Sequence, residues 1–160
     1  MIMFIIDGHN LLHAIPKVDE STALISDLQL CRIVDSYLKR TRNKGEIIFD
    51  GIGPPDKTGF DNMSRLEISF SGMKTDTDTI IEDKISASTA PKRLKIVSSD
   101  RRIRKAARTR KATSIKSEEF WYNLCKQLSI KRPKKEPREK RCGLSESETE
   151  QWLDYFGFNQ

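Results

Sequence analysis

Four aspartates in this chain stand beside apolar segments. Asp7 follows Phe4, Ile5 and Ile6, Asp50 follows Ile47, Ile48 and Phe49, Asp100 closes the run that starts at Leu94, and Asp78 lies within Thr75-Asp76-Thr77-Asp78-Thr79-Ile80-Ile81-Glu82. If the three apolar runs are parallel strands of one sheet, their carboxyl ends share an edge, which is where open α/β sheets place their ligands. Carboxylates gathered there repel one another, and a hard divalent cation held by oxygen ligands is the usual resolution. Singly, each acid has an ordinary explanation. Asp76, Asp78 and Asp100 precede predicted helices whose free N–H groups they would cap, while Asp7 and Asp50-Gly51 suit turns. The coincidence of three buried-type strand ends, each followed by an acid, points instead to a joint metal site at Asp7, Asp50, Asp78 and Asp100.

Several neighbours could support such a site. Glu82 lies one helical turn beyond Asp78 and on the same face. Asn10 follows Asp7 by three residues, and its amide could orient water or phosphate without adding negative charge; Ser98 and Ser99 offer hydroxyls beside Asp100. His9 and His13 have the spacing of half a zinc site, but no glutamate follows His9 and no third ligand is evident, so both are read as non-ligands. The glycines after Asp50 match neither the Walker pattern nor the dinucleotide fingerprint, and there is no GxSxG elbow.

The elements that must position these residues follow from hydrophobic period. Residues 2 to 6 read as a buried strand, with Gly8 permitting a tight exit. Leu24, Leu28, Cys31, Val34 and Leu38 mark one face of a helix between residues 21 and 42, which Gly45 is expected to end. Residues 46 to 50 form the second strand, residues 51 to 59 a loop, and Leu66, Ile68 and Phe70 alternate with polar residues as in an edge strand. A helix over residues 78 to 87, a strand over 94 to 98, a basic helix from Asp100, a short strand over 112 to 115 and a helix from Ser117 complete the pattern. Strands alternating with helices in this way predict a three-layer α/β domain with a mostly parallel sheet.

A chain of 160 residues sustains one core without disulfides. The net charge of +6 is uneven: residues 101 to 111 carry seven basic and no acidic side chains, and residues 131 to 141 carry seven basic against two acidic. A basic surface beside an acidic pocket suits a polyanion such as nucleic acid. Cys31, Cys125 and Cys142 form an odd set without CxxC spacing, so reduced thiols and a cytoplasmic location are expected. The apolar start is broken by Asp7, too early for a signal peptide or membrane span. Residues 1 to 128 read as the domain and residues 129 to 143 as a basic linker. In residues 144 to 160, Ser145 and Glu148 have capping-box spacing and start a short helix bearing Trp152, Leu153 and Phe156.

Asp7-Gly8-His9-Asn10, Phe49-Asp50-Gly51, Asp78-Thr79-Ile80-Ile81-Glu82 and Val97-Ser98-Ser99-Asp100, in this order and spacing, resemble the NYN domain family in its YacP-like branch, a group related to the PIN nucleases. The resemblance covers residues 1 to about 128. It implies a PIN-like Rossmannoid fold and metal-dependent endoribonuclease activity, with Asp7, Asp78 and Asp100 in the positions of the family's acids and Asn10 at the asparagine of its first motif. His9 stands where relatives commonly have an aromatic residue, and the sequence leaves open whether Asp76 or Asp78 points inward. The implied reaction is phosphodiester hydrolysis at one or two Mg²⁺ or Mn²⁺ ions held by Asp7, Asp78 and Asp100, with Asp50 as a further ligand or support. Arg101, Arg102, Arg104 and Lys105 on the basic helix, with Lys131, Arg132, Lys134 and Lys135 in the tail, would attract the RNA, expected to be single-stranded. The alternative is a non-catalytic RNA- or ribosome-binding module. A receiver-like phosphoacceptor centred on Asp50 needs a second acid beside Asp7, where Gly8 stands instead.

Overall fold

A computed structural model of the chain describes residues 1–18 and 25–129. The sequence-derived linker and C-terminal helix, with Lys131, Arg132, Lys134 and Lys135, lie outside the described residues, as does Leu24 of the expected helical stripe.

Five strands, β1 (Met3–Asp7), β2 (Lys44–Phe49), β3 (Leu66–Phe70), β4 (Leu94–Val97) and β5 (Thr113–Ile115), form one parallel sheet in the order β3-β2-β1-β4-β5. Alternation along the strands divides the core. Phe4, Ile6, Ile47, Phe49 and Val97 pack with one set of buried side chains, and Ile5, Ile48, Leu94 and Ile96 with the other. Helices α1 (Gly8–Val18), α2 (Asp27–Thr41) and α5 (Ser117–Ser129) cover the first face; α3 (Thr77–Ala87) and α4 (Arg101–Thr109) cover the second. The result is the expected three-layer α/β architecture, with β3 at an edge.

Helix α1 departs from the sequence reading, which placed the first helix after residue 21. Pro16 and the polar residues His9, Asn10 and His13 obscure it, yet Leu11, Ala14 and Ile15 are buried at helical spacing. Helix α2 starts at Asp27 through a capping box in which Ser26 accepts from the Gln29 backbone and Gln29 returns the bond. It ends at Arg42, in left-handed conformation with φ 59°, and not at Gly45, which lies inside β2. Gly45 is small for a packing reason: a Cβ there would sit 3.1 Å from Leu38 and 3.3 Å from Phe4.

This topology fixes where a site can form. From β1 the chain builds outward through β2 to β3, then crosses back to β4 on the other flank of β1. The carboxyl ends of β1 and β4 therefore flank the point where the strand order reverses, the ligand crevice of open α/β sheets. Pairing of Ile6 with Val97 sets Ser98 level with Asp7, and pairing of Asp7 with Ile48 brings Asp50 to the same edge.

Candidate active site

Asp7 ends β1 on the face that α3 and α4 cover, and it is only 7% exposed. Its Oδ1 accepts the Asn10 backbone N–H of α1 at 3.4 Å, and its Oδ2 accepts the Ser98 hydroxyl at 3.4 Å. These weak bonds do not offset burial. Desolvation, with the charges of Asp78 and Asp50 adding to it, pushes the Asp7 carboxyl from 3.8 up to about 6. Gly8 is required immediately afterwards because a Cβ there would lie 2.4 Å from the Phe49 ring.

Helix α3 brings the next acid. Asp76 is its N-cap, accepting the Thr79 N–H at 2.7 Å, and stands fully exposed with its carboxyl held below the ordinary value by Thr79. Asp78, half-buried in the first turn, is raised by desolvation and then by the charges of Asp100 and Asp76, with Arg102 opposing. The two acids left open by the sequence thus differ in surroundings. Asp76 serves the helix end, and Asp78 lies within electrostatic reach of Asp7, Asp50 and Asp100.

Asp50 is more exposed, and Thr77 anchors it: Oδ1 accepts the Thr77 hydroxyl at 2.6 Å and its N–H at 2.9 Å, which lowers the carboxyl. His9 flanks it, with Nδ1 accepting the Asp50 N–H at 3.4 Å and lying 3.9 Å from Oδ2. Asp100 caps α4, accepting from the Arg102 N–H at 2.8 Å and the Ile103 N–H at 3.4 Å. Its own N–H donates to Ser98 Oγ at 3.1 Å, so Ser98 links Asp100 to Asp7.

A second network locks β4 to α1 and α5. Asn10 Oδ1 accepts the Ser99 N–H at 3.0 Å and the Ser117 hydroxyl at 2.6 Å, while Ser99 Oγ donates to Glu118 at 2.8 Å and accepts the Ser117 N–H at 3.1 Å. The Asn10 carbonyl is thereby committed to positioning the strand end. Arg102 pairs with Glu82 and donates to Thr79 at 3.4 Å, bridging α3 and α4 beside the acids.

The donor chemistry fits a hard divalent cation. It is all oxygen, it gathers at one sheet edge, and its two inner members, Asp7 and Asp78, are both raised by burial and neighbouring negative charge. Among the described residues no group of three or more His, Cys, Asp or Glu side chains is spaced to hold a metal ion as it stands, so these acids would have to draw together around one.

The profile of the YacP-like NYN domain matches residues 4–155. The chain belongs to the YacP-like NYN family. This is a nuclease-like, RNA-related domain family. The YacP-like chain also shares its fold with the crystal structure of Rae1 (YacP) from Bacillus subtilis, at a TM-score of 0.65 and 19% identity over 79% of this chain and 75% of that one. The W164L mutant of the same protein matches at a TM-score of 0.59 and 15% identity, over 99% and 98% of the two chains. Among curated proteins, none matches this chain in sequence.

Within this YacP-like domain, the structure brings Asp7, Asp50, Asp78, Asp100, Ser98 and Arg102 to one edge. Asn10, Ser99 and Glu82 stand around it, engaged with other protein groups. Of the basic residues expected on α4, Arg101 and Lys105 are exposed, whereas Arg104 is half-buried with Nε donating to Ser114 at 3.1 Å. The sequence did not single out Thr77, Ser117 or Glu118 as site supports. Each reads locally as a helix-start residue, and its cross-element partner is visible only once the strands are ordered. Among the described residues no helix is long and apolar enough to cross a membrane.

Proposed function

We propose that this chain is a metal-dependent endoribonuclease that hydrolyses phosphodiester bonds of single-stranded RNA at the carboxyl edge of its sheet. The observation that carries this reading is the buried Asp7, its carboxyl raised to about 6 beside Asp78 and Asp50 at the point where strand order reverses. A carboxylate kept there at a cost to stability is poised to be repaid by a cation. Asp7, Asp78 and Asp100 would hold Mg²⁺ or Mn²⁺, with Asp50 as a further ligand or support; bound there, the metal would supply Lewis acidity and activation of water toward phosphorus.

The chain's own groups have definable tasks. Ser98 keeps Asp7 and Asp100 in register through its hydroxyl. Thr77 holds Asp50 against the start of α3, so the loop end is tied to the helix bearing Asp78. Arg102 balances part of the acid charge, and the exposed Arg101 and Lys105 offer phosphate contacts just past Asp100. The acids repel RNA, so these cations must draw it in.

The test is incubation of a mixed RNA with Mn²⁺ and the wild-type chain, Asp7→Asn or Asp100→Asn. Metal-dependent internal cleavage by the wild type alone is expected. RNA binding by the wild type without any metal-dependent cleavage would make the chain a binding module instead.

A further inference from the structure

Next to the acids stands a feature that the catalytic reading does not use. The loops that leave β2 and β3 are joined to each other: Gly72 N–H donates to the Gly51 carbonyl at 2.8 Å, Gly51 N–H donates to Ser71 Oγ at 3.0 Å, and Gly51 and Gly72 form an antiparallel bridge. Gly51, Gly53 and Gly72 have φ of 90°, 79° and 79°, a backbone that other residues adopt only with strain. The Phe70 ring supports the lip closely enough that a Cβ at Gly53 would lie 2.6 Å from it. Asp50, two residues before Ile52, ties the whole lip to α3 through Thr77.

This held backbone presents two large apolar side chains to solvent, Ile52 at 58% and Met73 at 86% exposure. Neither contributes to the core. They are also too small a patch for a stable protein contact, which buries about 800 Å² on each partner.

We propose that the lip formed by Ile52 and Met73 seats a nucleobase of the RNA strand whose backbone passes the acid cluster. The inference rests on the nuclease reading above and names what its site recognises. Exposed cations stand on both flanks of the site, Lys57 and Lys74 among them, and the apolar pair on one, an arrangement that suits one strand. The exposed cations Arg101 and Lys105 lie on the β4 side, while the β2 and β3 side offers apolar surface with Lys74 next in sequence to Met73. A single strand has phosphates for the one and unstacked base faces for the other, whereas a duplex hides those faces. Because the backbone of the lip is anchored by hydrogen bonds, the ordering cost of base contact falls on the Ile52 and Met73 side chains alone.

The test uses the full chain in an Asp7→Asn background, so that binding is read without cleavage. Two single-stranded probes of equal length are titrated by fluorescence anisotropy in Mg²⁺, one an oligoribonucleotide of mixed sequence and the other its abasic sugar-phosphate counterpart. The parent should prefer the base-bearing probe by about fivefold, the low end of what stacking on an aromatic ring contributes, because the two side chains here are aliphatic. Ile52→Ser with Met73→Ser should remove that preference while leaving affinity for the abasic probe unchanged, and Met73→Tyr should increase it. A double variant that keeps the full preference overturns the proposal. So does unchanged RNA affinity accompanied by loss of self-association in sedimentation, which would make a second copy the occupant. The nuclease reading fails separately, through absence of cleavage by the Asp7 form.

Discussion

Replacing Asp7 by asparagine should stabilise the metal-free protein at neutral and higher pH. The carboxyl is raised from 3.8 to about 6 by burial and by Asp78 and Asp50, so ionising it in the folded state costs about 3 kcal/mol relative to the unfolded chain. The sign follows from proton uptake. Folding favours protonated Asp7 between the two values, so the wild type is at its best below 3.8 and loses this contribution as pH rises through about 6. Asparagine keeps an oxygen for the Asn10 N–H and an amide that can donate to Ser98 Oγ, so about 1 kcal/mol is deducted for weaker bonding. A net gain of about 2 kcal/mol is expected near pH 8, falling toward zero near pH 4.5. Urea unfolding of both proteins in chelator, at both pH values, measures it; the other carboxylates titrate in both chains and cancel in the difference to first order. A variant less stable than the wild type at high pH, or a difference independent of pH, would refute the reasoning.

Gly8→Ala should cost about 2 kcal/mol or more, because its Cβ would collide with the Phe49 ring under the acid edge; a midpoint shift in urea checks this. Arg101→Ala combined with Lys105→Ala should weaken single-stranded RNA binding and reduce the slope of log K against log salt by about 1.4, at about 0.7 per lost phosphate contact. An unchanged slope would remove α4 from the RNA path.

Much of this architecture was legible because parallel, doubly covered strands must be apolar throughout. Ile5-Ile6, Ile47-Ile48-Phe49 and Ile96-Val97 announce themselves, and the alternation of Leu66, Ile68 and Phe70 marked the edge. Helix α1 was missed because Pro16 and the polar residues of the first turns mask its short buried face, although Leu11, Ala14 and Ile15 carried the signal. Gly45 misled for a different reason. Glycine after a helix usually marks its stop, but here Arg42 takes the left-handed position and Gly45 yields space to Phe4 and Leu38. At the site, the acids stood out by their place after apolar runs. Which of Asp76 and Asp78 faces them depends on rotation about α3, which the adjacent spacing of two helix-start acids leaves undetermined. The tie between Asp50 and Thr77 spans 27 residues and required the strand order.

That pair of acids supplies the most direct measurement of the account's central claim, the turnover of single-stranded RNA with Mn²⁺ by Asp78→Asn and Asp76→Asn side by side. Asparagine caps a helix as well as aspartate does, so Asp76→Asn should stay within about twofold of the wild type. Outer partners of metal ligands already cost about 10- to 100-fold when changed, so Asp78→Asn, at a proposed ligand, should lose about a hundredfold or more. Full activity in Asp78→Asn would contradict the assignment of this acid cluster as the catalytic centre, and a larger loss in Asp76→Asn would make Asp76 the inward acid instead.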